Sequence, residues 1–396
     1  MLEKAFIPYR GYYSSPFCRW QGSMANENSI ALGGNTSKRW LASKNWNPKM
    51  FDYLILAMTI GQKHQFFAAS WAAALLGAKE TPAVTVSQAC TTSTTSLFYG
   101  AMGVENGLYR RCYVLMTDRG SNSPHTVWPN PLNPGGEVES ENWMSDNFNS
   151  DPNVGLRMVE TAENVAREAG FTKEQCDDLT YRRYEQYLDS LAGERAFQKR
   201  YMFPVEVQVS RKKTKLVEED EGITPTTKEG LAKLKAVIPG GVVSFGSQTH
   251  PADGNCALVV TTKERADELS ADPGVRIRVV SYGYARAKPG FMPAAPVPAA
   301  KMALQNAGLA INEMKVIKTH NPFIVNDLFF AREMGIDPKG FNNYGSTIIF
   351  GHPNGATGGR LIIEGIEETV MRGGGYMLWA GCAAGDTGGA IILKIN

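Results

Sequence analysis

Short, almost uninterrupted apolar runs recur along this chain, and most of them end at a small or polar residue. Runs at 83–86 and 111–117 predict two strands early in the chain. After residue 254 the same texture returns at 257–261, 275–284, 316–319, 376–380 and 390–395. Apolar runs without polar alternation predict strands buried on both faces, as in a sheet covered by helices. Helical segments separate them. One is expected to begin near Cys90 and stop at Gly107, and others cover 298–307 and 355–372. Strands that alternate with helices predict an α/β fold.

The stretch 121–254 has a different character. Pro, Asn and Gly crowd 123–136, and amphipathic patterns occupy 155–170 and 173–191. A charged run from Arg211 to Glu221 reads as solvated surface, although its basic end could instead meet a phosphate. The chain is therefore expected to divide into a first half at 1–120, an inserted loop domain at 121–254 and a second half at 255–396. A helix end, a glycine stop and a strand occur in that order at 104–116 and again at 370–379. This weak repeat favours two similar halves packed face to face.

Length and composition narrow the function. A chain of 396 residues exceeds what one core normally serves, which also favours two halves. Net charge is only +2, from 41 basic and 39 acidic residues, so no nucleic-acid partner is expected. The first residues contain no apolar leader, and no run is long enough to span a bilayer. The six cysteines are scattered, without the close spacing of a zinc site or redox pair. A reduced, cytoplasmic compartment and no metal in this chain are the expectations, with most cysteines serving as small core residues.

Two cysteines stand apart from that background. Cys90, in Val-Ser-Gln-Ala-Cys-Thr-Thr-Ser, and Cys382, in Trp-Ala-Gly-Cys-Ala-Ala-Gly-Asp-Thr-Gly-Gly, each directly follow an apolar run and sit among small residues. A thiol at a helix entrance is favoured as thiolate by the unpaired N–H groups there. Either Cys90 is such a nucleophile, with its own N–H facing an acyl oxyanion, or it packs beneath the helix. His352 lies in Gly-His-Pro-Asn-Gly, a turn without bulk, and is placed to act as its general base. His320 lies where the 316–319 strand exits into a loop; the alternative is a turn residue. His125 and His250 lie in loops that could line a ligand entrance. A second thiol, Cys382, suits acid–base work at carbon, with the N–H of Ala384 completing an oxyanion hole.

These residues resemble the thiolases over nearly the whole length. Ser87-Gln-Ala-Cys90 resembles the family's nucleophile segment. Gly351-His-Pro-Asn-Gly resembles its histidine loop, and Gly381-Cys-Ala-Ala-Gly-Asp-Thr-Gly-Gly its second-cysteine loop. The resemblance implies the thiolase fold, two βαβαβαββ halves in an α-β-α-β-α stack with a loop domain inserted in the first. It implies an acyl-CoA C-acyltransferase that cleaves a 3-oxoacyl-CoA with coenzyme A through an acyl-Cys90 intermediate. His352 would be the base and Cys382 the acid–base group at the α-carbon. Cys90 and Ala384 would form one oxyanion hole, and His320, in His-Asn-Pro-Phe, would belong to the other with His352.

The segment 244–254 is similar to the family's pantetheine contact, which makes Ser247 and Thr249 candidate coenzyme A residues, with His125 a further one. The adenine-stacking arginine has no counterpart, and Thr224 lies near its place. The His-Asn-Pro-Phe variant and the aromatics Tyr12, Tyr13, Trp128, Trp143 and Phe148 suggest a bulky or aromatic acyl chain, as in benzoylsuccinyl-CoA thiolase. A homodimer or dimer of dimers, and a small zinc-ribbon/OB-fold partner subunit, are implied by the same likeness. The alternatives are a ketoacyl-synthase-like condensing enzyme, a biosynthetic acetoacetyl-CoA thiolase and an inactive acyl-CoA-binding subunit.

Overall fold

The computed structural model describes residues 1–132 and 135–396. Two half-sheets are joined by one short strand. In the first, Tyr53–Ala57 runs parallel to Arg111–Arg119, which pairs antiparallel with Ala252–Thr261. In the second, Met314–His320 runs parallel to Gly375–Ala383, which pairs antiparallel with Thr387–Ile395. The same order of directions in both halves is the duplication suggested by the weak repeat. Phe6–Pro8 bridges them, because Phe6 pairs with both Thr261 and Arg278. Since Ala252–Thr261 closes the first half-sheet, the boundary expected at residue 254 cuts a strand, and the first half extends through Thr261.

Both faces of the long strands are covered. Along Arg111–Arg119, Cys112, Val114 and Met116 face a central core, and Tyr113 and Leu115 face an outer one. Met377 and Trp379 share the central core, whereas Leu378 and Ala380 face the outer core of the second half. Two helices, Thr92–Glu105 and Asn354–Met371, lie between the half-sheets. Ser29–Ser43 and Ala68–Leu76 cover the first sheet, and Pro296–Ala307 covers the second. This is the expected α-β-α-β-α stack. Strands buried on two faces lose the polar alternation that a one-sided strand keeps.

The strand Ala83–Val86 departs from expectation. It is the last strand of the first half-sheet, with Val84 and Thr85 exposed rather than buried. Its length and apolar content match those of a central strand, so only its place in the sheet distinguishes it. The inserted stretch holds two hairpins, at His125–Pro129 with Val138–Asn142 and at Val205–Ser210 with Lys213–Val217. It also holds the helices Met158–Ala169 and Lys173–Arg195. No helix among the described residues is long and apolar enough to cross a membrane.

Candidate active site

Cys90 sits in a tight elbow between Ala83–Val86 and the helix Thr92–Glu105. Ala89, the residue before it, has φ of 45°, a left-handed conformation that L-residues adopt only when held. Three hydrogen bonds hold it. The hydroxyls of Thr92 and Thr59 donate to the Ala89 carbonyl at 2.6 and 3.1 Å, and Gln88 N–H donates to Thr92 Oγ1 at 2.7 Å. The strained turn presents the thiol at the floor of a cavity of about 310 Å³ that His352, Ala384, Phe148 and Met158 also line.

His352 occupies the corresponding turn of the second half, just before Asn354–Met371. Its N–H donates to the His250 carbonyl at 2.9 Å, tying the turn to the inserted stretch. Thr357 fixes the ring. Its hydroxyl lies 3.0 Å from the Pro353 carbonyl and 2.6 Å from His352 Nδ1, close enough to donate to the carbonyl while accepting from Nδ1. That arrangement keeps the proton on Nδ1 and leaves Nε2, which has no partner among the described residues, with a free lone pair. Thr347 Oγ1 lies 3.1 Å from His320 Nδ1, close enough to donate to it and leave the hydrogen on Nε2, which has no partner among the described residues. The two rings lie 4.2 Å apart, and one nitrogen of each lies with the Cys90 sulfur in a group spanning no more than 4.8 Å.

Burial sets the resting charges. It pushes the Cys90 thiol up to about 12, against the opposing help of the N–H groups of Ala384 and Cys90. It pushes His352 down to about 3 and His320 well below its ordinary value. Burial thus opposes the preference for a thiolate that the helix entrance was expected to give. Desolvation outweighs the helix N–H groups, and the resting site is a neutral thiol beside neutral imidazoles. The thiolate then arises by proton transfer to an acceptor in contact, which is the service a general base provides.

Cys382 lies near the end of Gly375–Ala383, wholly buried, with Asn326 Nδ2 donating to its sulfur at 3.2 Å. Burial raises this thiol well above its ordinary value, and the nearby Cys90 raises it further. The structure corrects the apparent likeness of the two cysteines. Cys90 precedes a central helix and so matches His352. Cys382 sits at a strand end and matches Asp118, near the end of Arg111–Arg119.

The remaining expected residues divide. Ala384 lines the cavity, and Thr249 lines it too, with its hydroxyl donating to the Thr347 carbonyl at 2.7 Å. Ser247 is fully buried and closes its own turn, accepting from Ser244 N–H at 2.8 Å, which removes its hydroxyl from reach of a ligand. His125 is on the exposed hairpin beside Asn142 and lines no cavity described here. Tyr12 and Tyr13 are core residues, bonded to Glu367 and Asn255, and Trp128 is exposed on the hairpin. Trp143 and Phe148 do line a second cavity, of about 300 Å³, that also reaches Cys90. Sequence reasoning missed Thr347, Thr357, Asn326 and Asp118. Thr357 carried a signal, since it lies one helical turn past Pro353; the others are brought in from distant elements.

Known proteins match this arrangement along its length. The family description "Thiolase, N-terminal domain" matches residues 11–264, and "Thiolase, C-terminal domain" matches 274–395. Human mitochondrial 3-ketoacyl-CoA thiolase is 26% identical over 390 residues, covering 96% of each chain. The 3-ketoacyl-CoA thiolase of Bacillus subtilis is 29% identical over 390 residues, covering 95% of each. The human enzyme solved in complex with CoA superposes with a TM-score of 0.89 at 25% identity, over 99% of this chain and 98% of that one. Two matched domain descriptions spanning nearly the whole chain place it in the thiolase family, whose members are acyl-CoA C-acyltransferases.

Proposed function

We propose that this chain cleaves a 3-oxoacyl-CoA with coenzyme A through an acyl-Cys90 intermediate. The observation that carries the reading is the Cys90 thiol grouped with the two histidine nitrogens at the floor of a cavity. On this reading His352 Nε2 takes the Cys90 proton, and the sulfur attacks the 3-oxo carbon. The carbon–carbon bond breaks, its electron pair leaves as the enolate of the departing acyl-CoA, and Cys382 protonates that carbon. Cys382, now a thiolate, takes the proton of incoming coenzyme A, whose sulfur displaces the acyl group from Cys90. The N–H groups of Ala384 and Cys90, which lie against the Cys90 sulfur, would hold the oxyanion on the acyl carbon. His320 Nε2, with His352, would hold the enolate oxygen.

Coenzyme A has a fitting approach. A cavity of about 400 Å³ lined by Thr224, Thr226, Gly246 and His250 meets the first at Gln248. Thr249 lies at that junction. The aromatic wall at Trp143 and Phe148 supports a bulky or aromatic acyl group in the other cavity. The open edge at Ala83–Val86 offers a second copy a strand to pair with, which supports a homodimer.

Mass spectrometry after incubation with a panel of aliphatic and aromatic 3-oxoacyl-CoAs tests this. The expected result is an acyl adduct on Cys90 that coenzyme A removes, formed fastest with the bulky members. A Cys90→Ala variant that still acylates and turns over sinks the mechanism; preference for acetoacetyl-CoA sinks only the bulky substrate.

A further inference from the structure

Among the buried acids that the mechanism does not use, Asp118 lies beside both the histidine helix and Thr59. Asp118 is 1% exposed and belongs to neither catalytic turn. Its carboxylate nevertheless touches both halves of the site. It accepts from Thr59 N–H at 3.1 Å and Ile60 N–H at 2.8 Å, just past the strand Tyr53–Ala57. It also accepts from Gly355 N–H at 2.6 Å, three residues after His352 in the first turn of the histidine helix. Burial pushes the Asp118 carboxyl up to about 7, and the N–H groups of Ile60, Gly355 and Thr59 oppose that rise, as helix-start N–H groups favour negative charge.

The contact continues to the nucleophile. Thr59, held by Asp118 through its N–H, donates its hydroxyl to the Ala89 carbonyl. Ala89 is the strained residue that aims Cys90. A continuous series of hydrogen bonds thus runs from the histidine helix through Gly355, Asp118 and Thr59 to the cysteine elbow. Glycine at 355 is required by this closeness, since an added Cβ would stand 2.8 Å from Asp118 Oδ2 and 3.0 Å from the Ala57 carbonyl.

We infer that Asp118 is a positioning residue that sets the Cys90–His352 separation, holding the His352 turn directly at Gly355 and the Cys90 elbow through Thr59. Two alternatives fit less well. A residue serving the fold alone has no reason to bridge both catalytic turns. A proton carrier needs a path to the cavity, and Asp118 lines neither cavity at Cys90. Proton transfer between a thiol and an imidazole depends steeply on their separation, and a displacement near 1 Å can remove about 10²-fold in rate. The inference rests on the acyl-Cys90 reading above.

The test is the single-turnover rate of Cys90 acylation, followed by mass spectrometry, in four proteins: wild type, Asp118→Asn, His352→Ala and the double variant. Asparagine keeps the shape but turns an amide N–H₂ toward a backbone N–H. The expected result is acylation slowed ~10- to 100-fold in Asp118→Asn with KM changed less than ~3-fold. In the His352→Ala background the same substitution should add less than ~2-fold, because the partner being positioned is gone. A wild-type acylation rate in folded Asp118→Asn overturns the inference, and so does an equal loss in both backgrounds. If Asp118→Asn does not fold, Thr59→Val removes the hydroxyl that reaches Ala89 and Thr92 at the cysteine elbow while keeping the N–H bond to Asp118, and an unchanged rate there overturns it equally. A wild-type protein that forms no adduct sinks the acyl-Cys90 reading itself. A wild-type adduct with an indifferent Asp118→Asn sinks only the clamp.

Discussion

The two central helices differ in what they bury. Thr92–Glu105, behind Cys90, buries a run of hydroxyls from Thr92 to Ser96, and those of Ser93, Thr94 and Ser96 have no partner among the described residues. Asn354–Met371, behind His352, buries Arg360, Glu364, Glu367 and Glu368. Arg360 pairs with Asp220 at 2.6 and 2.8 Å and with Glu364 at 2.9 Å, over the rings of Phe17 and Phe350. Tyr201 donates to Glu364, and Arg200 to Glu367. Cys90 is thus held largely by its own turn and Thr59, whereas the histidine helix is anchored by charge to the inserted stretch. The insertion therefore helps to hold the base as well as shape the ligand channel.

The largest expected effect separates the strand-end thiol from the helix-entrance pair. In Cys382→Ser, carbon–carbon exchange should fall ~10²- to 10⁴-fold while Cys90 acylation from a simple acyl-CoA changes little. Measured isotope exchange that stays at the wild-type rate would remove Cys382 from the chemistry. Next comes the charged anchor. Arg360→Met should lower stability by about 3–5 kcal/mol in urea unfolding, because Asp220 and Glu364 are left buried without their cation. A loss below about 1 kcal/mol would mean the network is not the anchor.

A pH dependence follows from the buried imidazoles. Folding keeps His352 neutral, so the unfolded chain gains a proton that the folded chain refuses as pH falls below the free histidine value of about 6.5. Its share of stability is present above that pH and is lost, by about 1.4 kcal/mol per unit, down toward about 3. Unfolding free energies between pH 6 and 4 should therefore fall less steeply in His352→Asn than in wild type, and equal slopes would contradict the buried neutral ring. The smallest effect completes the comparison. Thr94→Val should shift stability by less than about 1 kcal/mol, in the stabilising direction, because it removes a buried hydroxyl without a partner. A clear loss would reveal a bond to that hydroxyl.

Much of this was readable before the structure. Small residues around Cys90, His352 and Cys382 identified the reactive turns, because close backbone approach excludes bulk. The alternation of apolar runs and helical segments located most strands of the second half and the Ala83–Arg119 unit of the first, but not Tyr53–Ala57, Ser29–Ser43, Ala68–Leu76 or Ile324–Met334. Other features were not readable, for specific reasons. Ser247 and Thr249 look equivalent in sequence, yet one hydroxyl closes a turn and the other lines the cavity. Tyr13 and Phe148 are both aromatic, and only their packing assigns one to the core and the other to the pocket. Asp118 stands 237 residues from Gly355, a separation at which no local pattern signals contact.

The sequence alone determined the α/β class and the duplicated order and singled out the candidate reactive side chains, because periodicity, glycine and residue chemistry are local properties. The tertiary structure alone decided which residues correspond between the halves, that burial disfavours charge on the thiol and imidazoles, and that a buried carboxylate links the start of the histidine helix to Thr59. Those depend on distances across the stack and on the desolvation that packing imposes, and neither is written in any one segment.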